Sequence, residues 1–278
     1  MKKHKILRVA DTVITHAALI VVSLIFLFPC LWLILASFSK SGSIYTYKGF
    51  FPSEYSLDTF KTLFTDTAMY NYPQWFMNTL QIAVFSSLIG TFLVILTAYT
   101  ISRFQFKSRK KIMKGTLILG MFPSFMGMIA VYIIMTQFGL INNLWGVILI
   151  YSSSAPMGYL TQKGFFDTVP YSIDEAARID GATNLQIFLK INLPLSQPMI
   201  VYTALTSFTF PWSDFILPKL LLKEKDLYTV AVGLMNLGET EFSRFAAGSV
   251  FIAVPIVILY FILIRYMING MTAGAVKG

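Results

Sequence analysis

The sequence predicts an all-α integral membrane protein: a single transmembrane domain over residues 1–278 with six transmembrane helices. Three observations support this prediction. Hydrophobic residues make up 56% of the chain and charged residues only 13%, with a mean hydropathy of +0.67, and this charged fraction is about half that of an ordinary globular domain. Long stretches without Asp, Glu, Lys or Arg recur along the chain, and Lys and Arg concentrate in alternate loops between them.

Six apolar stretches give the predicted spans, because a hydrocarbon core about 30 Å thick requires roughly 20 apolar residues per helix. The spans are residues 13–36, 76–101, 115–137, 142–162, 195–214 and 245–264. The third and fourth divide one uncharged stretch at residues 139–143, which contain the Gly and Asn residues of a turn. An even number of spans places both termini on the same side of the membrane.

The distribution of Lys and Arg sets the orientation, because positively charged loops stay in the cytoplasm. Of the 22 Lys and Arg residues, 15 lie in the two terminal tails and in the second and fourth loops, and 7 lie in the remaining loops. Both termini are therefore expected in the cytoplasm. The net charge of +9 reflects this topology and contact with anionic membrane lipid, and it does not indicate nucleic-acid binding.

The fourth loop, which precedes the fifth span, contains an organised polar segment at residues 172–194. Ser172 and Glu175 have the spacing of a capping box, which begins a helix. Gly181 can take the left-handed conformation that ends one. These residues predict a first short helix on the cytoplasmic side of the membrane.

A second short helix is expected after that glycine. Thr183 and Gln186 repeat the capping-box spacing, and the helix has to stop before Pro194 because a proline restricts the residue that precedes it. The sequence thus predicts a helix-turn-helix unit. By itself, such a unit is equally typical of an amphipathic loop that lies on lipid headgroups.

The residues of this loop resemble the Glu-Ala-Ala loop of the permease subunits of binding-protein-dependent ABC importers. The matching residues are Glu175, Ala176, Ala177, Asp180, Gly181, Ala182, Ile191, Leu193 and Pro194. In that family the glycine lies in the turn and the loop docks in a cleft of the ATPase subunit. The resemblance therefore implies a role in ATPase coupling for these residues, and the ABC importer permease fold for the chain.

Further segments are similar to the smaller permease subunit of maltose and maltodextrin transporters, and the match extends from about the second span to the carboxyl terminus. They are residues 121–123, 163–167, 227–233, 245–248 and 269–278. Related permeases for other oligosaccharides share much of this pattern. The resemblance implies import of oligosaccharides, most closely of the maltodextrin type, by alternating access. A permease for another sugar, such as galacto-oligosaccharides, and a facilitator that works without an ATPase are the alternatives.

The same resemblance implies the partners and the location of the chain. It predicts a second, homologous permease subunit, two cytoplasmic ABC ATPase subunits, an extracellular sugar-binding protein and a bacterial inner membrane. In the family the carboxyl-terminal tail contacts the ATPases, which here assigns Thr272, Ala273, Gly274, Val276 and Lys277. A frayed terminus is the alternative for these residues.

Several absences argue against catalysis by this chain. The sequence has no Gly-x-x-x-x-Gly-Lys-Ser/Thr loop, so ATP is expected to be hydrolysed by partner subunits and no cofactor is expected here. His4 and His16 have no further ligand residues at metal-binding spacing. Hydrolase motifs are missing as well, and the chain is expected to be neither an enzyme nor a metalloprotein.

Candidates for the substrate pathway lie at the end of the fifth span. Asp214 is a carboxylate at membrane depth, which is often functional, although a solvated helix cap explains it equally well. Trp212 and Phe215 offer aromatic rings that could contact a sugar, and anchoring at the membrane interface is the alternative for both. The following outward segment, residues 217–244, is expected to meet the binding protein.

Overall fold

A computed structural model of the protein describes residues 2–40, 42–47, 49–68, 70–154 and 158–275. Across these ranges the chain is helical, and its one β-type pairing is an isolated antiparallel bridge between Ser39 and Tyr55. The all-α prediction is therefore confirmed. The first α-helices in chain order are α1 (Lys2–Ser37), α2 (Asp58–Thr65), α3 (Tyr72–Arg103), α4 (Arg109–Gly120), α5 (Ser124–Gln137), α6 (Leu144–Ser154) and α7 (Tyr159–Thr168).

The second half of the chain contains shorter elements before one long final helix. They are α8 (Tyr171–Ile179), α9 (Asn184–Ile187), a π-helical turn (Phe188–Asn192), α10 (Leu193–Leu195), α11 (Gln197–Ser213), α12 (Ile216–Leu221), α13 (Val230–Met235) and α14 (Phe242–Ala275). Two short 3₁₀ turns, Lys225–Leu227 and Glu239–Glu241, complete the description.

Three helical stretches in the described ranges are long and apolar enough to cross a membrane: Thr12–Ser37, Tyr72–Arg103 and Glu239–Tyr266. They correspond to the predicted first, second and sixth spans. Helices α4 and α5 satisfy the same test together, but the chain bends by more than 40° between them. The predicted third span is thus divided, because Pro123 has the extended ψ of 128° that interrupts a helix. By length and composition, the described residues contain three candidate spans, or four if α4 and α5 together form one span.

The predicted fourth and fifth spans correspond to shorter helices. The fourth coincides with α6 and the start of α7, and the fifth with α11. The predicted turn between the third and fourth spans is confirmed, because Gly139 and Asn142 have positive φ angles of 66° and 58°. Both lie between α5 and α6.

The chain forms two compact units. The first comprises the described residues up to Tyr70 together with Leu234–Phe251. Its core is built by Ala36, Tyr47, Phe242 and Ala246. In the loop after α1, the Ile44 amide donates to the Glu239 carbonyl at 3.0 Å, so this loop is tied to the segment that leads into α14.

The second unit comprises Asn71–Gly233 and the described residues from Ile252 onward. Helix α3 is its centre and packs against α6, α7 and α11. The apolar cluster at one end of α3 includes Val94, Tyr99, Phe166 and Phe188, and thus joins α3 to α7 and to the π-helical turn. This packing positions the loop that the sequence singled out.

Candidate functional site

The first helix of the predicted coupling segment, α8, begins two residues earlier than a cap at Ser172 would place it. Pro170 is its N-cap, with φ −56° and ψ 132° and no side-chain cap. Because the proline ring fixes φ and the chain enters from an extended conformation, Tyr171 becomes the first helical residue. Ser172 lies inside the first turn, and the predicted capping box of Ser172 and Glu175 is therefore wrong.

The end of α8 follows the prediction. Gly181 has φ +85°, its amide donates to the Arg178 carbonyl at 3.0 Å, and the Ala182 amide donates to the Ala177 carbonyl at 2.9 Å. These two bonds form a Schellman motif, which satisfies the last carbonyls of the helix and requires a left-handed residue at this position. The predicted turn at Gly181 is confirmed.

The start of α9 is also as predicted. The Thr183 amide donates to Gln186 Oε1 at 2.8 Å, and the Gln186 amide donates to Thr183 Oγ1 at 3.3 Å. The capping box of these two residues is complete. It orients α9 directly after the glycine turn, so residues 171–187 do form a helix-turn-helix unit.

The expectation that the second helix stops before Pro194 is wrong. Helix α9 continues into the π-helical turn, and Pro194 lies in the following short helix α10. In the π turn the Leu193 amide bonds to the Phe188 carbonyl, five residues back. Pro194 falls in the first turn of α10, where its missing N–H is tolerated, so the chain remains helical almost to α11.

A buried ion pair that the sequence analysis missed fixes α8 to α3. Arg103 Nε lies 3.3 Å from Asp174 Oδ2, and both side chains are almost fully buried. Asn192 bridges them, because its Nδ2 donates to Asp174 Oδ1 at 2.9 Å and its Oδ1 accepts from Arg103 at 3.0 Å. One network thus joins the end of α3, helix α8 and the π-helical turn.

The guanidinium of Arg103 also holds the connection before α8. It donates to the Phe166 carbonyl at 3.0 Å and to the Val169 carbonyl at 3.1 Å. The Tyr171 ring lies 5.8 Å from this guanidinium and 5.4 Å from that of Arg178. Removing one partner of such a buried charged network is strongly destabilising. The network therefore anchors the helix-turn-helix unit to the end of α3.

The predicted coupling residues divide into an exposed and a half-buried group. Glu175, Ala176, Asp180, Gly181 and Pro194 are exposed, and Ala177, Ala182, Ile191 and Leu193 are half-buried. Two large apolar side chains beside the glycine turn also face outward, since Ile179 is 87% exposed and Leu185 is 65% exposed. Exposed apolar groups clustered on an ordered turn are typical of an interaction surface.

A second polar contact lies beside this network. The Ser102 hydroxyl donates to Asp167 Oδ1 at 2.6 Å, and the Lys163 ammonium pairs with the same carboxylate. Burial raises the pKa of the Asp167 carboxyl, but the hydrogen bonds from Lys163 and Ser102 outweigh it and hold the pKa below its ordinary value. Lys163 and Asp167 are the ends of the 163–167 segment noted in the sequence.

The tail residues and the pathway candidates have different surroundings. Thr272, Ala273 and Gly274 lie in the last turns of α14, and Val276 and Lys277 lie outside the described residues. Trp212 is fully buried, stacks on Phe208 and donates its indole N–H to the Ile252 carbonyl at 2.9 Å. The ring is thus enclosed by the core, and the assignment of Trp212 to the substrate pathway stays a prediction.

Asp214 and Phe215 are half-buried at the end of α11. Asp214 Oδ2 accepts from the Tyr151 hydroxyl at 2.8 Å, and Asp214 Oδ1 accepts from the Ile216 amide at 2.8 Å. The carboxylate therefore caps the start of α12 and orients Tyr151. Tyr151 in turn lines a cavity of about 430 Å³ among α3, α6, α7 and α11, which no local sequence pattern indicated.

The chain matches one protein family and is similar to permease proteins of bacterial transport systems. The family model described as binding-protein-dependent transport system inner membrane component matches residues 90–273, a range that contains both the helix-turn-helix unit and the cavity helices α6, α7 and α11. The galactooligosaccharides transport system permease protein GanQ of Bacillus subtilis is 35% identical to the chain, with 99% of this chain and 98% of GanQ aligned. The maltodextrin transport system permease protein MalD of Streptococcus pneumoniae is 37% identical, with 95% of each chain aligned.

Solved structures show the same fold. A chain of a bacterial ABC transporter involved in the import of the acidic polysaccharide alginate matches with a TM-score of 0.77 and 20% identity, covering 92% of this chain and 96% of that one. At this identity the likeness concerns the arrangement of helices.

Proposed function

The chain belongs to the family of binding-protein-dependent transport system inner membrane components, and on this basis we propose that it is the permease subunit of an ABC importer for oligosaccharides of the maltodextrin type. The observation that carries the proposal is the ordered helix-turn-helix unit of residues 171–187, here called the coupling unit. Its exposed apolar turn can dock into a partner, and its buried attachment to Arg103 transmits displacement to α3. A free facilitator has no need of such a unit.

The proposed topology has six spans with both termini in the cytoplasm of a bacterial inner membrane. The charge distribution supports it, since 15 of the 22 Lys and Arg residues lie in the tails, the second loop and the fourth loop, and 7 lie elsewhere. In this arrangement α8 and α9 face the cytoplasm, and the segment of residues 217–244 faces outward. Bent or short helices such as α4, α5 and α6 would complete spans within a full complex.

The proposed assembly contains a second, homologous permease, two cytoplasmic ABC ATPases and an extracellular sugar-binding protein. The ATPases hydrolyse ATP, and this chain binds no cofactor. Closure of the ATPases displaces residues 175–194, and the buried ion pair carries that displacement into α3, which packs on α6, α7 and α11. Access to the pathway then alternates between the two sides. The tail residues Thr272, Ala273, Gly274, Val276 and Lys277 are proposed to contact the ATPases as well.

A galacto-oligosaccharide is the second candidate substrate, because GanQ aligns over nearly the whole chain. The test is purification of the tagged chain in mild detergent from its own cells, identification of co-purifying proteins, and uptake by proteoliposomes with maltotriose and galactotriose. ATP-dependent uptake of maltotriose is expected. Uptake of galactotriose alone would assign the second substrate, and uptake that persists without ATPase subunits would identify a facilitator and overturn the proposal.

A further inference from the structure

The cavity in the second unit has the size and position of a ligand site. Its volume is about 430 Å³, within the usual range of roughly 300–1,000 Å³ for small-molecule sites. Four helices, α3, α6, α7 and α11, contribute to its wall. Because α3 also carries Arg103, the cavity and the coupling unit share a structural element.

Hydroxyl groups dominate the polar part of the cavity wall. Ser86, Ser154, Thr161 and Thr206 contribute one each from the four helices. The Thr206 hydroxyl donates to the Tyr202 carbonyl at 3.0 Å, and a hydroxyl that donates in this way keeps lone pairs with which it can accept from a ligand. The wall can therefore offer several acceptors to a ligand that carries many O–H groups.

Ser86 gives a second, independent indication of a polar ligand. Its side chain is only 2% exposed, and its hydroxyl has no hydrogen-bond partner among the described residues. A buried hydroxyl without a partner is costly. A ligand hydroxyl in the cavity would satisfy it as donor, acceptor or both.

The remaining surface of the cavity is aromatic and uncharged. Tyr202 and Phe210 line it and are exposed, so their rings present flat apolar faces. No Asp, Glu, Lys or Arg is among the described lining residues. Asp214 is engaged with Tyr151 and the Ile216 amide. An anionic ligand would find no counter-charge here, which is costly at membrane depth.

We propose that this cavity is a binding subsite for neutral sugar units within this subunit, in which Ser86 and Thr206 bind sugar hydroxyls and Tyr202 and Phe210 pack on the sugar ring. The inference rests on the proposed transport function and specifies it further. It separates this chain from the alginate importer of similar fold, whose substrate is acidic. Ser86 and Thr206 thereby become determinants of substrate selection.

The test uses the complete transporter with its partners in proteoliposomes, and maltotriose, galactotriose and the acidic trigalacturonate as probes. Ser86→Ala and Thr206→Val are each expected to raise KM for the transported neutral sugar about fivefold, as expected for the loss of one hydrogen bond. Thr209→Val is the matched control. Thr209 is also on α11 and its hydroxyl donates to the Leu205 carbonyl at 2.8 Å, but it does not line the cavity. Trigalacturonate should not enter.

Each result bears on a different claim. If the wild-type complex takes up neither neutral sugar, the proposed function is overturned and this inference with it. If it takes up a neutral sugar but both cavity variants keep the wild-type KM, or if Thr209→Val raises KM equally, the inference alone is wrong. A second measurement covers variants that assemble poorly: in a Cys30→Ser background, the transported sugar should slow thiol labelling of Thr206→Cys, and equal labelling with and without that sugar would also overturn the subsite.

Discussion

Arg103 and Asp174 form a buried ion pair, with 3.3 Å between Nε and Oδ2, although they are separated by helices α4 to α7 in the sequence. Asn192 completes the contact from the π-helical turn. The pair connects the helix at the centre of the second unit with the first helix of the coupling unit. In the proposed mechanism, this pair is the link that transmits movement between a docked ATPase and the membrane helices.

Replacing one member of this pair should destabilise the protein strongly. Asp174→Asn leaves the Arg103 guanidinium buried without a counter-charge, and a loss of about 3–5 kcal/mol in the free energy of unfolding is expected. Asp180→Asn, on the exposed end of α8, should change it by less than about 0.5 kcal/mol. Unfolding in mixed micelles measures both. The double variant Arg103→Met/Asp174→Leu should lose less than Asp174→Asn, and equal losses for the two aspartate variants would contradict the role of the pair.

A substitution at Gly181 should impair coupling of ATP hydrolysis to uptake without preventing folding of the protein. Gly181 has φ +85°, and a Cβ added there would meet no atom within 4 Å. The cost of Gly181→Val is therefore backbone strain of roughly 1–2 kcal/mol rather than a clash. We expect normal amounts of membrane-inserted protein with at least a tenfold loss of ATP-coupled sugar uptake.

Two variants control for this result. Gln186→Ala removes half of the capping box and should affect uptake far less. Gly164→Ala, at an exposed glycine of α7 with equally open surroundings and no positive φ, should leave uptake unchanged. Wild-type uptake in Gly181→Val at normal expression would disprove the coupling assignment. Absence of the protein from the membrane would show instead that the turn is needed for folding.

At Gly233, unlike at Gly181, a side chain should destabilise the protein through a steric clash. A Cβ at this position would lie 2.0 Å from Cε3 of Trp75, and the indole is held in place because its N–H donates to the Lys225 carbonyl at 2.8 Å. Gly233→Ala should therefore lower the melting temperature in detergent, with a cost of about 1–3 kcal/mol. Gly115→Ala, in the open surroundings of α4, is the control, and equal melting temperatures for both variants would refute the close contact.

The orientation of the chain can be tested with single cysteines after Cys30→Ser. Lys61→Cys should react with an impermeant thiol reagent added to intact cells, and Lys107→Cys should react after the membrane is permeabilised. Both side chains are exposed, so access to the reagent depends on the side of the membrane and not on burial. Labelling of position 107 in intact cells would reverse the proposed topology.

Asp167 gives a prediction about pH. Its pKa in the folded protein lies below the ordinary carboxyl value, so its ionised form stabilises the fold above that value, and the stabilisation is lost as the pH falls through the folded pKa. Asp167→Asn should therefore flatten the decline of thermal stability in acid. An unchanged acid profile for Asp167→Asn would indicate that Lys163 and Ser102 contribute nothing through this carboxylate.

The parts of the site that the sequence predicted are those controlled by nearby residues. Gly181 and the pair Thr183 and Gln186 act over one to five positions, so their spacing alone indicates the turn and the cap. The box at Ser172 failed for a local reason as well, because Pro170 starts the helix first. A local pattern thus predicts a helix start only when no neighbouring residue, such as Pro170 here, starts the helix first.

The parts that the sequence missed depend on contacts between distant segments. Arg103 belongs to the 15 Lys and Arg residues that set the predicted orientation, and no residue near it or near Asp174 in the sequence indicates that the fold buries both. The burial of Trp212 likewise depends on contacts with Ile252 and Phe76 from other helices. The large apolar spans of α1, α3 and α14 were predictable because lipid imposes a length that composition reveals.

The π-helical turn sets the rotational phase between the coupling unit and the cavity. Each residue of an α-helix advances the chain by about 100°, and the π turn at Phe188–Asn192 holds one residue more than an α-helical path would need. Deleting one residue there would let the backbone stay helical while every side chain of α11 turned by that angle relative to α9. Thr206 would then leave the cavity wall while Asn192 lost Asp174. The number of residues in the π-helical turn thus sets how the coupling unit and the cavity wall are oriented relative to each other, although these two surfaces share no side chain.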